Sequence, residues 1–131
     1  MDSIKAILNR PFSREIIKER AGQRGKKLSY VETVYYIERL NEAFGIQWDW
    51  KVTDFKIMDR EVYCKGQLTY TVDGKEYSKE AFGGKDITII DVYDKQTRKV
   101  IGQKNLSIAD DLKSAGSDAL KKACSLLGIG L

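Results

Sequence analysis

Residues 61–82 read EVYCKGQLTYTVDGKEYSKEAF, and their side chains alternate with period two. Val62, Cys64, Gly66, Leu68, Tyr70 and Val72 share one face, while Tyr63, Lys65, Gln67, Thr69 and Thr71 share the other. That is the pattern of a strand with one side on a core and one side in water. Asp73 and Gly74 tolerate the positive φ angles of a two-residue hairpin turn, so the chain is expected to fold back into a strand from Lys75 to about Phe82. Gly83 and Gly84 are expected to break or kink that strand.

Upstream, residues 48–57 form a preceding strand whose apolar phase runs Trp48, Trp50, Val52 and then shifts to Phe55, Ile57, the signature of a bulge. Before it, YVETVYYIERLNEAFG (30–45) places Val34, Ile37, Leu40 and Phe44 along one helical face, with Gly45 as the stop. Ser29 and Glu32 have capping-box spacing, although that first turn could equally be extended. The N-terminus reads as two short helices broken at Pro11. Ser13 would cap the second, Phe12 and Ile17 would staple it, and it would end near Gly22. Downstream, strands around 87–92 and 99–103 flank the polar tip YDKQTRK as a second hairpin. A closing helix over about 107–127 buries Ile108, Leu112, Ala115, Ala119, Ala123 and Leu126, leaving Lys113, Lys121 and Lys122 off the stripe. The expected fold is α+β: N-terminal helices and a curved antiparallel sheet packed against a long C-terminal helix, an order shared with double-stranded-RNA-binding modules.

At 131 residues with 42% hydrophobic content, the chain is expected to form one domain over 1–131 that buries about two-thirds of its unfolded surface. It has one Pro, no low-complexity tract and no apolar run near the ~20 residues of a membrane span. A cytoplasmic or nucleoid-associated protein with no membrane partner is expected. Cys64 and Cys124 lie too far apart for a metal or redox motif and read as buried reduced thiols.

The absence of histidine removes Ser/His and Cys/His nucleophile pairs and the usual zinc sites. AGQRGKKLS (21–29) lacks the glycine spacing and the preceding strand of a phosphate loop. Asp110 and Asp111 are explained by capping and the helix dipole, and Asp86, Asp91 and Asp94 by a solvated hairpin. No catalytic residue, metal or cofactor is expected, and binding remains.

The charge distribution points to the ligand. The formal charge is +4, yet residues 1–30 carry eight bases against three acids while the rest carries fifteen against sixteen. Arg20, Arg24, Lys26 and Lys27 fall in eight residues without an acid. Such a loop is an anion-binding footprint or a solvated solubility loop, and composition alone weighs the two equally. Among the tyrosines, 30, 35, 36, 63, 70, 77 and 93, Tyr30 is the best stacking candidate because it adjoins that loop. Trp48 and Trp50 read as packing residues.

Three stretches together resemble the Rad52-type single-strand annealing family with its bacterial and phage relatives: RAGQRGKKLSYVETVYYIERLNEAFGIQWDW (20–50), VDGKEYSKEAFGG (72–84) and DDLKSAGSDALKKACSLLGIGL (110–131). The resemblance implies ATP-independent binding of single-stranded DNA and annealing of complementary strands, in double-strand break repair and recombination. It implies self-assembly into a ring or filament, with a recombinase or single-strand-binding protein as a further partner. Carried over by position, its DNA groove falls on Arg20, Lys27, Tyr30, Lys113, Lys121 and Lys122, with Arg24 and Lys26 in the same loop. A further basic position is Ser125 here. A second, outer DNA site has only the candidates Arg60, Lys85, Lys95, Arg98 and Lys99, with no role assigned. Two other readings stay open: a double-stranded-RNA-binding module, favoured by RNA preference, and a structural or adaptor subunit, favoured by absence of salt-sensitive nucleic-acid binding.

Overall fold

The computed structural model describes residues 3–22 and 25–131. Within them the chain runs α1 (Ile4–Asn9), β1 (Ile17–Ala21), β2 (Lys27–Val31), α2 (Thr33–Phe44), β3 (Trp48–Ile57), β4 (Glu61–Val72), β5 (Lys75–Asp86), β6 (Ile89–Tyr93), β7 (Val100–Asn105) and α3 (Ile108–Ser125). The fold is α+β with all-antiparallel pairing: two hairpins, β1–β2 and β6–β7, flank a central sheet in the order β3-β4-β5. The order of helix, three strands and helix is present, but β6–β7 intervenes before α3 and the likeness to RNA-binding modules extends no further.

The central hairpin follows its sequence closely. β4 buries Val62, Cys64, Gly66 and Leu68 in alternation, and Asp73 and Gly74 turn at φ 51° and 76°. β3 carries its register shift between Val52 and Asp54. The extra residue returns Phe55 and Ile57, opposite Cys64 and Val62, to the face already occupied by Trp50 and Val52.

Gly83 and Gly84 do not end β5, which continues to Asp86. A Cβ at Gly83 would collide with the Ala115 carbonyl and the Ala119 backbone of α3. Glycine here permits close strand–helix approach rather than a break. α3 lies on β4 and β5, where Ala115, Ala119 and Ala123 are fully buried. Ser107 caps this helix by accepting from the Asp110 N–H at 3.2 Å. Leu126, expected in the stripe, lies beyond the helix end and is 59% exposed, while Leu120 and Cys124 take the buried positions. Val34 is likewise exposed, and α2 enters the core through Leu40 and Phe44.

The second N-terminal helix is replaced by a single 3₁₀ turn at Arg14–Ile16 followed by β1. Ser13 does accept from the Glu15 N–H, but at 3.3 Å it caps only that turn. The KLSYV segment wins the chain instead, pairing Ile17 with Val31 through Ala21 with Lys27. The Ser29–Glu32 capping box does not form: Ser29 is in β2, and Glu32 precedes α2 without a side-chain cap. Arg39, buried in α2, holds α1 in place by donating to the carbonyls of Ile7 and Arg10 while its guanidinium sits 4.6 Å from the Phe12 ring centre. Such contacts satisfy a guanidinium that burial pushes below its ordinary pKa.

Candidate nucleic-acid interface

The β1–β2 hairpin builds the first wall of a basic cleft. In its register Lys18 faces Tyr30 and Arg20 faces Leu28, so Arg20 and Tyr30 are diagonal neighbours on one face. The Arg20 guanidinium lies 5.8 Å from the Tyr30 ring centre. α3 builds the second wall, and Lys121 reaches across to within 5.7 Å of the same ring. Two cations from separate elements therefore lie near the Tyr30 ring. Lys113, two turns earlier on α3, and Lys85, from the end of β5, complete the lining of a cleft of about 630 Å³.

The cations differ in their surroundings. Partial burial, with Arg20 nearby, holds the Lys121 ammonium below the ordinary lysine pKa, and Asp118 and Glu32 counter that only in part. Glu32, also in the cleft, is ion-paired with Lys18. Asp118 accepts from the Gly84 N–H and from Lys122 Nζ, each at 3.0 Å, tying the β5 end to α3. Lys85 Nζ donates to the Asp86 carbonyl at 3.0 Å and to Thr88 Oγ1 at 3.2 Å, with Asp111 Oδ1 at 3.4 Å. Burial would raise the Asp111 pKa, but hydrogen bonds from the Thr88 N–H and hydroxyl and from Lys85 outweigh it and leave it lowered. Asp111 is thus a buried structural carboxylate anchoring the root of β6, a stronger role than a helix-dipole residue has.

Of the residues expected from sequence, Arg20, Tyr30, Lys113 and Lys121 meet in this cleft. Lys26 and Lys27 are exposed at the hairpin's far end, Lys27 3.9 Å from Glu19, and Lys122 sits outside the lining, paired with Asp118. Arg24 lies outside the described residues. Ser125 donates its hydroxyl to the Lys121 carbonyl at 3.0 Å and offers no cation. Among the outer-site candidates, Lys85 belongs to the cleft. Lys95, Arg98 and Lys99 lie at the β6–β7 tip, and Arg60 lies in the β3–β4 turn. From sequence Lys85 stands only among the outer-site candidates, just after two glycines expected to break or kink its strand.

Cys64 and Cys124 are free and buried, and burial pushes the Cys124 thiol up to about 12. No helix among the described residues is long and apolar enough to cross a membrane.

A model of the Rad52/22 family of double-strand break repair proteins matches residues 1–131, the whole chain. The chain belongs to this family. A search of curated proteins finds no match. Membership in a DNA double-strand break repair family gives a cleft lined by four cations, two of them near Tyr30, a nucleic-acid context.

Proposed function

We propose that this Rad52/22 family chain binds single-stranded DNA along the Arg20–Tyr30–Lys113–Lys121 cleft and anneals complementary strands without ATP, as an array of identical subunits. The observation that carries the reading is Tyr30 with Arg20 and Lys121 beside it, 5.8 and 5.7 Å from its ring centre. Two cations next to an aromatic ring suit a strand whose phosphates take the charges while a base stacks on the ring.

Annealing in this scheme needs no chemical fuel and no catalytic residue. Duplex formation releases about 1.4 kcal/mol per stacked step, and the cations lower the repulsion between incoming strands. Repetition of the cleft along an array raises effective concentration, so contacts that are weak singly hold a strand firmly together. A recombinase or single-strand-binding protein would hand over or receive that strand.

Two complementary fluorescent DNA oligonucleotides, mixed without nucleotide over a salt series, test this. Wild type should anneal them well above the protein-free rate, and an Arg20→Ala, Lys121→Ala double variant should fall back toward it. Annealing at the protein-free rate alongside tight, salt-sensitive binding of duplex RNA would replace this reading with an RNA-binding one.

A further inference from the structure

On the far side of the wall made by Thr33, Lys113 and Ser117 lies a second groove of about 580 Å³, and it is apolar. Its origin is the width of the sheet. α3 covers β4 and β5, and on the inner face of β3 Trp48 and Trp50 pack on the core while Val52, Phe55 and Ile57 are left exposed. The β3 bulge places Trp50, Val52, Phe55 and Ile57 on the face that carries the buried residues Val62, Cys64 and Leu68. Trp50 lies flat over Gly66, where a Cβ would strike its ring. The result is a trough floored by Trp50, Val52 and Phe55 and walled by Leu112, Gly116 and Leu120. It is a core face without a cover.

The same chain carries an apolar element without a seat. Among the described residues, β6 and β7 pair with each other and join no other sheet. Ile89, Tyr93, Val100, Ile101 and Leu106 stand out along this arm. A lone two-stranded hairpin is marginal in water, and exposed apolar residues on it call for a partner surface.

We infer that the β6–β7 arm of one copy of this chain docks in the β3 trough of the next. This rests on the self-assembly proposed above and names the surfaces that make it. The sizes agree. Val52, Phe55 and Ile57 on the trough side and the five arm residues are 45–66% exposed. At roughly 100 Å² apiece they offer on the order of 800 Å² of apolar surface. That is close to the apolar share, somewhat over half, of the ~1,600 Å² that a standard stable interface buries. The mode of docking is also constrained. The N–H groups of Trp50 and Phe55 are each taken, at 2.9 Å, by the carboxylates of Asp49 and Asp54, which blunts β3 against adding a strand. The arm therefore seats by side chains over the trough. Arm and trough are different surfaces, so the contact is head-to-tail and propagates into a ring or filament. Because trough and cleft share a wall, each docking event sets a neighbour beside the DNA cleft.

The test mixes two variants of the full chain, each blocked on one surface: Phe55→Lys in the trough and Ile101→Lys in the arm, both at well-exposed positions. By light scattering, wild type should be a multimer, each variant alone a monomer, and their equimolar mixture a dimer, because one intact trough meets one intact arm. Circular dichroism of each variant confirms folding. As a second reading, a Phe55→Cys, Ile101→Cys double variant should form a disulfide between copies under oxidation, since Cys64 and Cys124 are buried. Variants that still form multimers, together with no such crosslink, would overturn the arm-in-trough contact while leaving self-assembly through another surface standing. A monomeric wild type would overturn both. Retention of an unrelated protein or of DNA by the trough of a monomeric wild type would reassign the groove to that occupant.

Discussion

The two grooves meet along Thr33, Lys113 and Ser117 and differ in almost everything else. The cleft gathers Arg20, Lys85, Lys113 and Lys121, with Arg20 and Lys121 near the Tyr30 ring, and these residues come from a hairpin, the end of a strand and a helix. The trough is a strip of sheet left bare because the helix covers two strands of three. Charge in the first is long-ranged and weakened by salt; contact in the second is short-ranged and indifferent to it. On the proposed reading, one chain separates holding a strand from holding its neighbour.

That separation can be broken at the element both grooves share. Gly83→Val should be the most damaging single change, because it forces α3 off β5 and distorts both walls. A loss on the order of 3 kcal/mol is expected from overpacking against backbone, read as a lower urea midpoint. An unchanged midpoint would contradict the close seating of Gly83 on Ala115 and Ala119.

Next in size, Arg20→Ala or Lys121→Ala should each weaken single-stranded DNA binding about tenfold and lower the salt slope by roughly 0.7, one phosphate's share on a single strand. Val52→Ser in the trough should leave that slope unchanged. Parallel slopes for cleft and trough variants would erase the distinction between the grooves. Tyr30→Ala should cost about 1 kcal/mol of affinity at any salt concentration, as loss of one stacked base does, and Tyr30→Phe should restore most of it.

The smallest effect concerns pH. Because burial holds Lys121 below the ordinary lysine value, it loses its proton earlier as pH rises, and phosphate binding then requires proton uptake. DNA affinity should decline with pH sooner in wild type than in Lys121→Arg. Asp111 has the opposite sense: its lowered pKa contributes stability above the unfolded carboxylate pKa, and that contribution is lost as pH falls through the folded value. Asp111→Asn should flatten the acid limb of a thermal unfolding series.

The sequence made β4 and β5 legible because one face is core and one is water, and period two records that difference. It made α2 and α3 legible by their spacing, except where Leu126 and Val34 continue the pattern past the packing. β1 was not legible: IKERA is exposed throughout, so no alternation marks it, and the capping signal at Ser13 is spent on one 3₁₀ turn. Gly83 misled because a glycine that admits a helix and a glycine that ends a strand look alike in one dimension. For the cleft, the basic loop, Tyr30 and the lysines of α3 were named before they were brought together. What sequence lacked was the hairpin register that sets Arg20 beside Tyr30, and the continuation of β5 that delivers Lys85.

The proposed function puts the strand in the cleft with a base on Tyr30. It is tested most directly by irradiating the protein bound to a single-stranded oligonucleotide carrying 5-bromouracil and identifying the crosslinked residue by mass spectrometry. Crosslinking at Tyr30, lost in the Arg20→Ala, Lys121→Ala double variant, is the predicted result. Crosslinking at Trp50 or Phe55 in the trough, or at Tyr93 on the arm, with Tyr30 unmodified, would contradict it.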